Sequence, residues 1–162
     1  MFRADEVFDL AIRLEQNGEN CYRHLLSLTT DPEARSVLAW LAEQEAQHAH
    51  FFSQVKQRYL DQCPTGPAEA PAGLNLADFL GDRTLSLEEV DVLTLTDRQR
   101  ILKVASEFER DTILFYDMLR AFISDEQALK ELDAIVKEEQ RHIELLDDFM
   151  APGETPIAAA VD

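Results

Sequence analysis

Two halves of this chain repeat each other at a fixed offset, and no other feature constrains the fold as tightly. Glu45-x-x-His48 recurs as Glu139-x-x-His142, Glu15 recurs as Glu109, and Tyr22 recurs as Tyr116, each pair 94 residues apart. Residues 11–55 align on 105–149 without a gap, and Ala11/Ala105, Leu25/Leu119, Asp31/Asp125, Ala34/Ala128 and Leu38/Leu132 are also identical. In a chain with 17 glutamates and 4 histidines, a single Glu-x-x-His is close to what chance supplies. Two in register, each with an in-register Glu and Tyr upstream, are not. A duplication of this kind sets the architecture before any detail is known.

The repeating unit reads as a helical hairpin. Val7, Leu10, Ala11, Leu14, Cys21, Leu25 and Leu28 recur at helical spacing and predict a first helix over about 4–28. Thr29-Thr30-Asp31-Pro32-Glu33 ends it and starts the next: Thr30 or Asp31 can cap, Pro32 suits a first helical turn, and Glu33 can close a capping box with Thr30. The second helix is expected to run to Tyr59. Glu15 and Glu45 lie equally far from the turn near residue 30, at about 22 Å for a rise of 1.5 Å per residue, so they stand level. The second hairpin, over 97–150, behaves alike: Glu109 and Glu139 flank Ser124, and Ser124-x-x-Gln127 is again a capping pattern.

Residues 60–96 have a different texture, with Pro64, Gly66, Pro67, Pro71 and Gly73 breaking any helix. Short helical turns are expected at 76–80 and 85–90, and an N-cap at Thr96-Asp97. So long a connection lets the second and third helices run parallel. The expected fold is all-α: a single domain over 1–150, a four-helix bundle of two antiparallel hairpins joined by a long crossover, followed by a tail over 151–162.

Residues at i and i+3 share a helix face, so Glu45 with His48 and Glu139 with His142 can each bind from one side. With Glu15 and Glu109 they form the ligand set of a carboxylate-bridged pair of metal ions. In such a site Glu45 and Glu139 bridge, the histidines serve one ion each, and Glu15 and Glu109 close the ends. Four carboxylates balance two divalent ions; without metal they would repel, and some would take up protons. Oxygen and imidazole donors suit iron or manganese, with zinc as an opportunist.

Tyr22 and Tyr116 each follow a ligand glutamate by two helical turns, placing a hydroxyl where it can donate to a carboxylate. Glu138 competes with Glu139 as the partner of His142, and the repeat favours Glu139. Glu19 lies one turn from Glu15 and is a candidate extra ligand or proton relay without a counterpart, the equivalent residue being Ile113. Glu107, His50 and His24 read as surface residues, Cys21 as core. Trp40, opposite Ala134 in the repeat, suggests no function.

The patterns Ala11-x-x-x-Glu15-x-x-Gly18-x-x-x-Tyr22 and Leu41-Ala42-x-x-Glu45-x-x-His48, repeated as Ala105 to Tyr116 and Glu139-x-x-His142, resemble the rubrerythrin-like branch of the ferritin-like superfamily. The likeness covers the four helices. It implies two iron ions reacting with hydrogen peroxide or O₂, hence an oxidoreductase of the peroxidase or ferroxidase kind, with iron handling lacking peroxide turnover as the alternative. The sequence departs from that pattern in two ways. Cys21 and Cys63 form no Cys-x-x-Cys pair for a rubredoxin-type iron site, so an external, rubredoxin-like electron donor is expected. The third helix also does not plainly carry the additional carboxylate of the peroxidase site.

A net charge of −17 repels nucleic acid. No apolar run reaches the roughly 20 residues of a membrane span, and Met1 to Glu6 is no signal peptide. With no disulfide framework, a cytoplasmic protein forming a homodimer or small homo-oligomer is expected.

Overall fold

Three residues, Thr29 to Asp31, reverse the chain between helix α1 (Ala4–Leu28) and helix α2 (Pro32–Gln62). Asp31 makes the turn: its Oδ1 accepts the Ala34 N–H at 2.8 Å, taking one of the amide donors that a helix start leaves without a partner. Thr29 Oγ1 accepts the Asp31 N–H at 3.2 Å. From the first turn of α2, Arg35 reaches back to the carbonyls of Leu26 and Thr29, at 2.8 and 3.0 Å, and so closes the end of α1. The capping box expected of Thr30 and Glu33 does not form. Asp31 already serves the free amide, and Glu33 instead pairs with Arg98 at 2.8 Å.

The computed structural model describes residues 4–62, 98–120, 123 and 126–151. Helix α3 spans Arg98–Arg120 and helix α4 spans Glu126–Met150. Helix α2 runs past Tyr59 because the first strong breaker is Pro64, which disfavours helix only at the residue before it. Helix α3 ends earlier than Ile123, whose N–H bonds back to the Arg120 carbonyl at 3.3 Å. The crossover with its expected short turns, the caps at Thr96-Asp97 and Ser124, and the tail beyond Ala151 lie outside the described residues.

Arg98 fixes how the hairpins meet. At the start of α3 it pairs with Glu33 and donates to the Phe149 carbonyl of α4 at 3.2 Å. Helix α3 therefore begins at the end of the bundle where α1 stops, runs antiparallel to α1, and points the same way as α2. A connection from Gln62 to Arg98 must travel the length of α2, about 45 Å at 1.5 Å per residue. That is the long crossover read from the sequence. No helix among the described residues is long and apolar enough to cross a membrane.

The apolar face of each helix supplies the core. Leu25, Leu38, Leu41, Ile101, Leu102 and Leu146 are fully buried, Tyr22 meets Phe108 edge-on with centroids 5.9 Å apart, and Phe52 packs on Tyr116 at 5.7 Å. Each such aliphatic side chain contributes roughly 1.5–3 kcal/mol. Cross-helix ion pairs such as Lys56–Asp9 and Arg58–Glu131, both 2.6 Å, are partly exposed and contribute at most about 1 kcal/mol each. The apolar contacts must also hold a layer of ionisable groups at mid-bundle, where burial costs several kcal/mol per uncompensated charge.

Candidate metal centre

That layer consists of the six residues singled out by the repeat. Glu15, Glu45, Glu109 and Glu139 are 0% exposed, and His48 and His142 are buried beside them. Their donor atoms form two overlapping groups, Glu15, Glu45, His48 and Glu139 on one side and Glu45, Glu109, Glu139 and His142 on the other. Within each group, one atom from every residue lies within 4.8 Å of all the others. Glu45 and Glu139 belong to both. Each hairpin thus brings one terminal glutamate, one histidine and one shared glutamate, and neither can complete a position alone.

The imidazoles face inward through Nδ1. His48 Nδ1 is 3.0 Å from Glu139 Oε1 and 3.4 Å from Glu15 Oε2. His142 Nδ1 is 2.9 Å from Glu139 Oε2, 3.2 Å from Glu109 Oε1 and 3.7 Å from Glu45 Oε1. The two rings stack nearly parallel, 14° apart with centroids separated by 5.8 Å.

The tyrosines reach across the bundle. Tyr22 donates to Glu109 Oε1 at 2.6 Å, and Tyr116 donates to Glu15 Oε1. Sequence spacing placed each hydroxyl along the face of the glutamate in its own helix. The recipient is the glutamate of the other helix, because the antiparallel pairing of α1 and α3 sets residue 22 opposite 109 and residue 116 opposite 15. Each bond therefore ties one hairpin to the other.

The remaining polar atoms test whether a metal pair fits. Counting the eight carboxylate oxygens and the two inward-facing Nδ1 atoms gives ten donor atoms, and two of the oxygens take the tyrosine protons. The other eight, six oxygens and both Nδ1 atoms, are buried with no partner beyond the contacts they make with one another. Buried polar groups are rarely left so unless something else satisfies them. Oxygen and imidazole donors in two groups of four, sharing two carboxylates, match the needs of two divalent iron or manganese ions.

The protonation states point the same way. Burial, then the charge of Glu139, raises Glu15; burial and the neighbouring glutamates push Glu45 well above the usual carboxylate range. Glu109 rises to about 8, again through burial first and Glu139 second. Glu139 goes the other way: burial would raise it, but contacts with both histidines draw it down to about 2. Burial would lower the histidines, yet the carboxylates facing them hold His48 at about 11 and His142 at about 9. Without metal the cluster is therefore held together by protons, which a metal ion must displace.

Other residues sort by where their side chains go. Glu19 stands apart from the cluster and accepts from Arg23 at 2.8 Å, one turn along α1. His50 and His24 are exposed, and Glu107 pairs with Lys103 on the surface. Cys21 is buried in the core, its thiol pushed up to about 12 by burial.

Two neighbours of the cluster carried little signal in the sequence. Gly18 is one: a Cβ there would meet Glu45 Oε2 at 2.5 Å and Phe108 Cε1 at 3.0 Å, so a methyl group would have to push the Glu45 carboxylate aside. The other is Trp40, whose ring stands edge-on to His142 at 80° with centroids 5.2 Å apart. Gly18 belongs to the Glu15-x-x-Gly18-x-x-x-Tyr22 pattern that carries the family resemblance, but the reason for a glycine there comes from other helices. Glu138 does not reach His142; its Oε2 lies 2.8 Å from Nε2 of His48 on α2.

Residues 6–150 match the family model for rubrerythrin. The fold is similar to a ferritin-like diiron-carboxylate protein from Thermotoga maritima, with a TM-score of 0.61 and 24% identity, over 92% of this chain and 95% of that one. At that identity the likeness speaks to the fold. No curated protein matches.

Proposed function

The chain belongs to the rubrerythrin family, and from that premise we propose that it is a non-haem di-iron oxidoreductase that reduces hydrogen peroxide. The observation that carries this reading is the sharing of Glu45 and Glu139 between two complete four-residue groups in a fully buried layer. When bound, a ferrous pair would supply the two electrons that, with two protons, convert one hydrogen peroxide into two waters, each iron becoming ferric. A separate one-electron donor protein would restore the ferrous state.

The residues of the chain do the rest. Glu45 and Glu139 hold the two positions together, while His48 with Glu15 and His142 with Glu109 complete one each. Tyr22 and Tyr116 hold Glu109 and Glu15 in place. Glu15 faces His48 through its other oxygen, Oε2, at 3.4 Å, whereas Glu109 Oε1 takes the Tyr22 hydroxyl and also faces His142 Nδ1 at 3.2 Å. Burial first, then the adjacent carboxylates, lifts both phenols well above their ordinary value. In the metal-free protein they are therefore protonated donors. Trp40 against His142 and Phe108 beside Gly18 keep bulk water off the layer.

One observation favours a second reading, iron oxidation or handling without peroxide turnover. Among the described residues no fifth carboxylate joins the cluster, since Glu19 turns to Arg23. Stopped-flow mixing of the anaerobic ferrous protein with hydrogen peroxide or with O₂ separates the two. Oxidation faster with peroxide, with repeated turnover when reductant is supplied, is the expected result. Faster oxidation by O₂, with one round only, would favour iron handling. The donor protein and a small homo-oligomeric state belong to the same proposal, as does iron over manganese.

A further inference from the structure

Around the two histidines the duplication breaks. Nε2 of His48 lies 2.8 Å from Glu138 Oε2, so the ring is held between Glu138 outside and Glu139 inside. The residue in register with Glu138 is Gln44, which carries no charge. Near His142 the contact the structure shows outside the cluster is the edge of Trp40, whose own register mate is Ala134. The two positions share the same kinds of residue. Each has one terminal glutamate accepting a tyrosine hydroxyl, one histidine Nδ1, and the same two shared glutamates.

We propose that Glu138 makes the two metal positions unequal, so that the position served by Glu15 and His48 takes its ion first and holds it more tightly. An ionised carboxylate can only accept a hydrogen bond, so Glu138 requires the proton on Nε2 of His48. The lone pair of the neutral ring then falls on Nδ1, the atom that faces the cluster. The contact on Nε2 thus holds His48 in its binding tautomer and orientation, and the negative partner makes Nδ1 a stronger donor. Among the described residues, His142 shows no contact with a carboxylate outside the two donor groups. Glu138 is a positioning residue: it touches the histidine and stays out of both donor groups.

The proposal rests on the dinuclear reading above, and the test separates the two. Wild type and Glu138→Gln are titrated anaerobically with Co²⁺, followed by calorimetry and by the visible ligand-field bands. Wild type is expected to bind two ions in two distinguishable steps, and Glu138→Gln to weaken the tighter step by roughly 10–100-fold while leaving the other alone. The Glu138 side chain is 43% exposed, so the substitution opens no buried hole, and circular dichroism checks the fold. In the Zn²⁺-loaded, ¹⁵N-labelled protein the His48 Nε2–H proton should resonate far downfield and move upfield in Glu138→Gln, with His142 unchanged, a signature that a merely structural role would not give. Two ions bound with equal affinity, or two steps that Glu138→Gln leaves unchanged, would overturn the inequality and leave the dinuclear reading standing. No stoichiometric binding by wild type would overturn both.

Discussion

The two hairpins are near-copies where they face each other and strangers one layer out. Glu15 and Glu109, Glu45 and Glu139, His48 and His142, Tyr22 and Tyr116 correspond one to one and occupy corresponding places. Around them Gly18 stands opposite Thr112, Trp40 opposite Ala134, and Glu138 opposite Gln44. Charge explains the difference in freedom. Two divalent ions need four carboxylates for neutrality in a buried layer, and removing any one leaves a charge unbalanced where water cannot help. The flanking positions need only fill space and satisfy single bonds, which many residues can do.

The largest effect should follow from breaking what the halves share. Glu45→Gln keeps the volume and removes a charge common to both positions. Metal affinity should fall at both, by more than the roughly 10–100-fold that loss of an outer hydrogen-bond partner costs. The metal-free protein should at the same time melt higher, because Glu45 is a strongly raised carboxyl crowded by three others. Calorimetric titration and thermal melts on the two forms read both signs. Loss of one ion only would mean that Glu45 belongs to one half.

pH probes the same layer. In the metal-free protein Glu109 rises from 4.5 to about 8, His142 from 6.5 to about 9, and His48 from 6.5 to about 11. Groups raised on folding add stability that is fully present below the unfolded value and is lost as pH climbs through the folded one. The metal-free melting temperature should therefore fall between pH 5 and pH 9. Metal competes for the same protons, so affinity should rise over that interval by about tenfold per pH unit for each proton displaced. Melts and titrations across that range check both slopes; a metal-free protein that grows more stable up to pH 9 would contradict the assigned protonation states.

Smaller effects test the divergence. Gly18→Ala places a methyl group against Glu45 and Phe108, and overpacking of this kind costs about 1–3 kcal/mol. Its strain falls on a shared ligand, so metal affinity should drop with stability. Thr112→Ala, at the matching place, removes a buried hydroxyl with no partner and should change metal affinity by no more than about twofold. Equal losses in the two variants would show that the halves are constrained alike after all. Of the same order as Gly18→Ala are Tyr22→Phe and Tyr116→Phe, each removing the hydroxyl donor of one carboxylate oxygen at a cost of about 1–3 kcal/mol. Their melting temperatures should drop by similar amounts, because the two bonds are equivalent across the repeat.

The bundle and its six central residues were legible in the sequence because periodicity and a gapless repeat are local properties. The helix spacing put Glu45 and His48 on one face, and the turn at Thr29–Asp31 put Glu15 level with Glu45. What was not legible depends on how the hairpins face each other. The tyrosine bonds cross between α1 and α3, a pairing that no single-helix argument contains. Glu138 is one residue from Glu139, hence about 100° round α4, and its partner sits on α2. Gly18 sits in the pattern that carries the family resemblance, but the close approach of Glu45 from α2 that accounts for it cannot be read from α1 alone. The capping box went astray more simply, since Asp31 and Thr30 were both adequate caps and the contest was decided by Arg98 drawing Glu33 away.

Anaerobic Fe²⁺ titration of the purified wild-type protein tests the central claim most directly, with bound iron counted per chain. Two ions per chain in wild type, and both weakened together in Glu45→Gln and in Glu139→Gln, is the predicted result. Binding that stops at one ion, or two ions that survive loss of either shared glutamate, would contradict a centre built by both hairpins around two common carboxylates.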